Sequence, residues 1–245
     1  MILRGALAIL LAAFSFAPLA GCSEDPPPPP PRKKAEPKME APKEKPPEKP
    51  ADVSPPKKTN PDLDTSNPIF KKQAPAEYRV RFTTTKGEFD VKVTRDWSPS
   101  GADRFYALVQ CGFYDDTRFF RVVPKFMVQW GMNGDPAVTA KFAEFKIPDD
   151  PVKQSNVRGT ICYAKPNTPN SRSTQVFINF KDNSPLDADG FSAFGTVTKG
   201  MEVVDSINAE SRELPNQNKI RQSGNAYLDA EFPNLDRIKT ARILE

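Results

Sequence analysis

The chain has 245 residues, of which 27 are proline and none is histidine. Without an imidazole, Ser-His-Asp and Cys-His hydrolysis and His-ligated zinc sites are excluded. Lysine and arginine exceed aspartate and glutamate by 35 − 31 = 4. Residues 26–58 alone account for nine basic and five acidic residues (9 − 5 = 4), whereas residues 62–245 hold 25 and 24. A folded part so close to neutral lacks the basic face that a phosphate backbone requires, so we expect no nucleic-acid partner.

Residues 1–21 predict a lipoprotein signal peptide. The apolar run over residues 5–17 has the length of a signal-peptide core and is shorter than the roughly 20 residues of a membrane-spanning helix. It is followed by residues 19–22 (Leu-Ala-Gly-Cys), which resemble the bacterial lipobox, where the cysteine is diacylated and becomes the new N-terminus. The resemblance implies lipidation of Cys22, a membrane partner through this anchor, and a location in the bacterial cell envelope. Ser23 resembles the sorting signal for the outer membrane, facing the periplasm. An ordinary cleaved signal followed by a chance cysteine is the alternative.

Residues 22–77 form the second predicted segment, a tether rich in proline and lysine. Fourteen prolines fall between residues 26 and 61, six of them in succession at 26–31. Such a composition buries too little apolar surface to offset the entropy of ordering, so we expect disorder with polyproline II character. This tether would hold a domain away from the membrane, and a docking site for a proline-binding partner is the alternative. Residues 62–77 are transitional, and we expect them to lie on the domain surface or to be loose.

The third predicted segment, residues 78–245, has the pattern of one folded domain. Apolar and polar residues alternate on both sides of Lys86-Gly87, which predicts an antiparallel hairpin. Ser98-Pro99 begins a helix that Gly112 ends, and residues 200–208 predict a second helix. Further strands are predicted at residues 119–123, 126–130, 160–163, 175–179, 191–197 and 236–244. The last strand could pair with the first. Many short strands, two helices and no βαβ rhythm predict a mainly β fold, a closed eight-stranded antiparallel barrel capped by two α-helices.

Four motifs, in order along this domain, resemble the cyclophilins. Residues 120–129 (Phe-Arg-Val-Val-Pro-Lys-Phe-Met-Val-Gln) resemble the central signature of that family, and residues 170–179 (Asn-Ser-Arg-Ser-Thr-Gln-Val-Phe-Ile-Asn) its second signature. Residues 158–164 resemble the strand that leads to a small residue at the pocket edge, and Leu186-Asp187 together with residues 194–197 (Phe-Gly-Thr-Val) resemble the remaining wall. The resemblance implies a peptidyl-prolyl cis-trans isomerase that accelerates rotation about Xaa-Pro bonds in extracytoplasmic protein folding. Such an enzyme needs no cofactor and no covalent intermediate, and we expect a monomer whose substrates are Xaa-Pro-containing polypeptides.

The resemblance also implies the site residues. Arg121 would donate a hydrogen bond to the prolyl nitrogen as amide resonance is lost, and Gln129 would hold the substrate carbonyl. The substrate-binding residues that it implies are Phe126, Met127, Ala164, Gln175, Phe177, Leu186 and Phe191. We expect no metal site.

Several alternatives stay open at this point. Arg121 could be a surface arginine on an edge strand, Gln129 could bind a neighbouring loop, and the aromatic and methionine residues could fill an ordinary core. Trp130 stands where the family usually has glycine, and Pro185 where many members have an aromatic residue that contacts cyclosporin, so weak inhibitor sensitivity is expected. These departures support a second hypothesis, a non-catalytic envelope-tethered module that binds proline-containing peptide segments.

Two further features concern the cysteines and one long connection. Cys111 and Cys162 are expected to be buried small side chains rather than a disulfide pair, although the compartment would permit one. Residues 210–235 exceed what a minimal cyclophilin needs, and the sequence suggests no function for them.

Overall fold

The computed structural model describes residues 63–244. The predicted signal peptide, the lipidation site Cys22 and the tether up to residue 62 therefore lie outside the described residues. Within the described range, no helix combines the length and the apolar character that crossing a membrane requires.

The described residues form an eight-stranded antiparallel sheet with five α-helices. The strands are β1 (Glu77–Thr84), β2 (Glu88–Thr94), β3 (Arg121–Val123), β4 (Met127–Trp130), β5 (Thr160–Tyr163), β6 (Val176–Asn179), β7 (Ala193–Lys199) and β8 (Ile238–Leu244). The helices are α1 (Pro99–Gln110), α2 (Pro136–Ala143), α3 (Pro185–Ala188), α4 (Met201–Asp205) and α5 (Gln217–Glu231). The prediction of a mainly β, antiparallel fold is confirmed.

The strands follow the order β3-β4-β6-β5-β7-β2-β1-β8 across the sheet. In the β1–β2 hairpin Phe82 pairs with Phe89, and their rings stack with centroids 4.8 Å apart. Alternate residues of these strands are buried, because successive side chains in a strand point to opposite faces. β8 pairs with β1 along Arg79–Thr84. The predicted hairpin and the predicted pairing of the last strand with the first are both confirmed.

The predicted closure of the barrel is wrong: the sheet curls into a half-barrel whose edge strands are β3 and β8. β3 has only three residues because Pro124 and Lys125 turn the chain at once, Lys125 with a left-handed φ of 60°. The two edges approach each other through a single bridge, Arg118 to Arg237. Beyond it, the backbone N–H of Val122 donates to the carbonyl of Arg212 (3.0 Å) instead of to β8. A loop therefore occupies the gap that a longer β3 would have closed.

The prediction of two capping helices is also wrong, because α2, α3 and α5 were not predicted. The two longer of these helices, α2 and α5, each begin at a side-chain cap. Asp135 caps α2 by accepting a hydrogen bond from the N–H of Ala137 (2.8 Å), and Asn216 caps α5. Gly224 interrupts α5 with φ 55° and ψ −137°, which breaks the helical periodicity. The second predicted helix shrinks to the five residues of α4.

The core lies between the concave face of the sheet and α1. α1 contributes Phe105 and Leu108, which are fully buried with Phe194 of β7. Ser98 was expected to cap α1, but its hydroxyl donates to Asp150 (2.6 Å), and that carboxylate accepts from the N–H of Gly101 (3.0 Å). The cap of α1 thus comes from a residue distant in sequence.

Residues 63–77, the described end of the predicted tether, lie against the domain. The ring of Phe70 meets those of Phe142 and Phe145 edge-on, with centroids 5.5 and 5.4 Å apart. The N–H of Ala74 donates to Asp103 of α1 (2.8 Å). These contacts bind the segment to the surface of α1 and α2.

Candidate active site

A cleft of about 560 Å³ is lined by side chains of β3, β4 and β6 together with segments that follow β5 and precede β7. All nine residues that the resemblance assigned to catalysis or substrate binding line this cleft. They are Arg121, Phe126, Met127, Gln129, Ala164, Gln175, Phe177, Leu186 and Phe191. The fold thus brings the separate sequence motifs to one place.

Trp130 does not fill the cleft. Alternate residues of a strand face opposite sides of the sheet, so Met127 and Gln129 of β4 line the cleft whereas Trp130 enters the core. Its ring is fully buried, with centroids 5.7 Å from Phe82 and 5.5 Å from Phe119. The departure from the family pattern at this position therefore leaves the cleft open.

The apolar wall of the cleft is a cluster distinct from the main core. Its buried members are Met127, Cys162, Phe177 and Ala193, and Val123, Phe126, Ala164, Leu186 and Phe191 pack against them. Phe177 is 5% exposed, and its ring meets that of Phe191 edge-on at 5.8 Å. Because this cluster opens into the cleft, it forms a shallow apolar surface that can accept a small ring.

A chain of three polar side chains runs beside this wall. Nη1 of Arg121 donates to Oε1 of Gln129 (3.1 Å), and Nε2 of Gln129 donates to Oε1 of Gln175 (2.8 Å). On its other edge, Nε of Arg121 donates to Oε1 of Glu213 (2.7 Å). The side chain of Arg121 is 32% exposed. Arg121 is thus held at the border of the cleft by partners on both sides and is not extended into solvent.

Behind the wall lies a hydrogen-bond network that was not predicted from the sequence. Nδ2 of the fully buried Asn156 donates to the carboxylate of Asp187 (2.7 Å) and to the carbonyl of Phe191 (2.8 Å). Nδ2 of Asn183 donates to the carbonyl of Phe126 (2.9 Å). Two side-chain amides therefore fix the backbone at two residues of the cleft wall. Asn179 is the residue from which such a network could have been predicted, because it is a polar residue at the end of the apolar strand β6 and a buried amide requires hydrogen-bond partners. In the structure its Oδ1 accepts from Asn183 (2.8 Å).

Asp187 is the charged member of this network. Burial alone would raise the pKa of Asp187, but hydrogen bonds from the hydroxyl of Ser155 and from Asn156 outweigh it and hold the pKa below the ordinary value. The carboxylate is therefore ionised at neutral pH, and it accepts hydrogen bonds from three groups of the 155–156 segment. Asp187 lies in the one-turn helix α3, which carries Leu186 into the cleft.

The cysteines are buried thiols, as predicted. Sγ of Cys162 donates to Oδ1 of Asn156 (2.8 Å), and Sγ of Cys111 donates to the carbonyl of Leu108 (3.4 Å). Burial raises the pKa of the Cys162 thiol well above its ordinary value, so it contributes to the apolar wall as a neutral group. In residues 63–244, no cluster of three or more His, Cys, Asp or Glu side chains could hold a metal ion.

Similarity to known proteins identifies this arrangement. The profile of the cyclophilin-type peptidyl-prolyl cis-trans isomerases matches residues 79–225, which is more than half of the chain. The chain belongs to the cyclophilin family. It is 33% identical over 144 residues to a peptidyl-prolyl cis-trans isomerase of Acinetobacter baylyi, covering 57% of this chain and 76% of that protein. It is 35% identical over 162 residues to peptidyl-prolyl cis-trans isomerase A of Dickeya dadantii, covering 62% and 80%.

The fold of the cyclophilin domain also matches solved structures. A cyclophilin of Cryptosporidium parvum, crystallised in the presence of the dipeptide Ala-Pro, superposes with a TM-score of 0.52 at 21% identity and covers 68% of this chain and 99% of that one. This similarity supports the fold, and the family membership supports the predicted activity, the cis-trans isomerisation of Xaa-Pro bonds.

Part of the cleft lining was not predicted from the sequence. α5 contributes Gln217 and Arg221, and Lys146 follows α2 on the same cleft. These residues had no motif to mark them, because both helices lie in segments to which the sequence analysis assigned no structure. Lys165 lines the cleft directly after Ala164, which was predicted.

Proposed function

We propose that Arg121 is the catalytic group of this cyclophilin and that the apolar wall binds the proline ring of the substrate. Phe126, Met127, Phe177 and Leu186 would surround the ring. The observation that carries the proposal is the position of the Arg121 guanidinium, beside Gln129 and on the same cleft as this wall.

The reaction requires only that the barrier of amide resonance be lowered. Prolyl bonds interconvert over tens to hundreds of seconds across a barrier of about 18–20 kcal/mol. As the bond twists, the prolyl nitrogen becomes pyramidal and regains a lone pair that a donor can bind. Shortening a process of ~100 s to ~10 ms takes about 5.5 kcal/mol at 1.36 kcal/mol per tenfold. A permanently charged donor beside an apolar wall, from which a bound proline ring displaces water, stabilises this transition state more than water does.

The polar chain supports this role for Arg121 and a second role for Gln129. A guanidinium has five N–H groups. Three of those of Arg121 bind Gln129 and Glu213, which leaves one on Nη1 and one on Nη2 without a partner among residues 63–244. The amide of Gln129 uses one of its two N–H groups on Gln175, so the second can donate to a substrate carbonyl. The charged guanidinium of Arg121 and the neutral amide of Gln129 both act by donating hydrogen bonds, without proton transfer.

The test is catalysed exchange of a short Ala-Pro-Phe peptide, measured by NMR on wild type, Arg121→Ala and Arg121→Lys. We expect wild type to accelerate exchange, Arg121→Ala to lose at least about a hundredfold, or 2.7 kcal/mol, and Arg121→Lys to recover only part of the loss, because ammonium lacks the planar fork. Binding without accelerated exchange in wild type would eliminate the enzyme. Equal exchange in wild type and Arg121→Ala would eliminate only the assignment of Arg121.

We further propose that this isomerase works as a lipid-anchored monomer in the bacterial cell envelope, on the periplasmic side of the outer membrane, where it assists the folding of exported proteins. The support is the sequence of residues 1–22 and the proline-rich composition of the tether that follows. Two or more acyl chains give stable anchoring, whereas one chain binds only marginally. The substitution Cys22→Ser is expected to release the protein from membranes. If the wild-type protein already fractionates with soluble proteins, the anchor does not exist.

The non-catalytic alternative receives no support from the structure. It rested on Trp130, which lies in the core, and on Pro185, which is exposed at the start of α3 and does not line the cleft. Weak inhibition by cyclosporin remains a prediction from Pro185.

A further inference from the structure

The segment from Ala209 to Leu214 lies against the open edge of the sheet, directly beside Arg121. It belongs to the long connection between β7 and β8 for which the sequence suggested no function. The N–H of Val122 donates to the carbonyl of Arg212 (3.0 Å), which attaches the segment to β3 one residue after Arg121. The next residue of the segment, Glu213, binds the Arg121 side chain. The segment is therefore placed to act on Arg121 through Glu213.

The contact is made on the edge of the guanidinium that faces away from the cleft. Oε1 of Glu213 accepts from Nε of Arg121 (2.7 Å) and also from Nη2. Glu213 is not among the cleft-lining residues, whereas Gln129, which accepts from Nη1, lines the cleft. Glu213 and Gln129 thus hold the two ends of the planar group, and the remaining N–H groups of Nη1 and Nη2 stay available on the side of the cleft.

The backbone adopts an unfavourable conformation to make this contact. Arg212 has a φ of 43°, in the left-handed region that non-glycine residues rarely enter. The N–H of Arg212 donates to the carbonyl of Ala209 (3.2 Å), and the N–H of Leu214 donates to Ser211 (2.8 Å), so this turn is internally hydrogen-bonded. Leu214 is 73% exposed, so apolar burial of its side chain does not hold the turn in place. Such local strain is often found at functional sites.

We propose that Glu213 is a positioning residue, which fixes the guanidinium of Arg121 in the orientation that donates to the prolyl nitrogen. The proposal rests on the catalytic role of Arg121 proposed above. An unrestrained arginine side chain populates many rotamers, and only those that direct an N–H group at the prolyl nitrogen can act on the twisted bond. A residue that holds the guanidinium in such a rotamer removes this entropic cost. The Glu213 side chain is 56% exposed, and an ion pair with this exposure contributes little to the stability of the fold. Loss of Glu213 should therefore affect turnover much more than folding.

The experiment compares full-length wild type with Glu213→Ala, Glu213→Gln and the control Glu210→Ala in the peptide exchange assay. Glu210 lies in the same connection, and its substitution by alanine removes the same charge. Its carboxylate, however, accepts a hydrogen bond from Asn234 (3.3 Å) and none from Arg121. We expect Glu213→Ala to lower kcat about five- to tenfold with KM within about twofold. Glu213→Gln, whose amide oxygen can still accept from Nε, should recover at least half of the loss, and Glu210→Ala should match wild type.

A double-mutant cycle separates positioning from other roles. If Glu213 acts through Arg121, Glu213→Ala has no further effect in an Arg121→Ala background, and the slowly exchanging Nε–H resonance of Arg121 broadens in Glu213→Ala. Wild-type kcat in Glu213→Ala would overturn the proposal, and so would increased kcat, which would mean that Glu213 competes with substrate. A loss that persists in the Arg121→Ala background would also overturn it, because Glu213 would then only support the loop. Full exchange in Arg121→Ala would instead refute the catalytic assignment, and the role of Glu213 with it.

Discussion

Removing the side-chain amide of Asn156 tests whether the buried network holds the cleft wall in place. The substitution Asn156→Ala removes the hydrogen bonds that Nδ2 donates to the charged Asp187 and to the carbonyl of Phe191, and also those that Oδ1 accepts from Cys162 (2.8 Å) and Asn179 (3.2 Å). The bond to Asp187 contributes about 1.5–3 kcal/mol and the bond to Phe191 about 0.5–1.5 kcal/mol. The backbone N–H of Asn156 continues to bind Asp187 (2.9 Å), so part of the carboxylate remains satisfied. The two donated hydrogen bonds alone sum to about 3 kcal/mol, so we expect the free energy of unfolding to fall by at least about that amount.

Urea titration followed by tryptophan fluorescence measures this loss, and a thermal scan should show a melting temperature lower by roughly 6–12 °C for a domain of this size. Because Phe191 loses its backbone anchor, catalysed peptide exchange should also slow while the protein is still folded. The matched control is Asn218→Ala, an exposed asparagine of α5, which should change stability by less than about 0.5 kcal/mol. A loss below about 1 kcal/mol in Asn156→Ala would refute the inference that this amide holds the wall.

Three further predictions follow from the geometry. The folded-state pKa values of Asp150 and Asp187 lie below the ordinary value, so their stabilisation is complete above the unfolded pKa near 3.9 and is lost as pH falls through the folded-state values. The urea midpoint should therefore be lower at pH 3 than at pH 7, and equal midpoints would contradict these pKa shifts. Trp130→Ala should destabilise the fold by about 3–5 kcal/mol and leave exchange by the folded protein within about twofold of wild type. A large loss of turnover would place the ring in the cleft after all. In Cys22→Ser protein, the two buried thiols should resist a disulfide reagent until the protein is unfolded, and rapid reaction of the native state would show that Cys111 or Cys162 is accessible.

The sequence predicted the strands of the cleft well because their information is local. β3 and β4 lie within the motif at residues 120–129 and β6 lies within the motif at residues 170–179, and the resemblance of these motifs to the cyclophilins assigned the residues of these strands that face the cleft. The sequence did not decide on which side of β4 the ring of Trp130 lies, and the structure places it in the core. The pairing of Phe82 with Phe89 follows from a short turn at Lys86-Gly87.

What the sequence could not predict depends on residues distant from each other in the chain. Closure of the barrel depends on where β3 ends and on whether the N–H of Val122 donates to β8 or to the carbonyl of Arg212. No local sequence pattern indicates which of these acceptors is used. The cap of α1 comes from Asp150, and the partner of Arg121 is Glu213, 92 positions away. Single polar residues in loops carry no periodicity, so their contacts emerge only once the fold is known.

We place the proline ring of the substrate on Phe177 and Met127, with the Arg121 guanidinium at its nitrogen. A crystal structure of this protein with an Ala-Pro-Phe peptide would test this placement. We predict ring carbons within about 4 Å of both apolar side chains and an Nη atom of Arg121 within about 3.2 Å of the prolyl nitrogen. A peptide bound outside this cleft, or bound within it while Arg121 turns away from the nitrogen, would refute this placement.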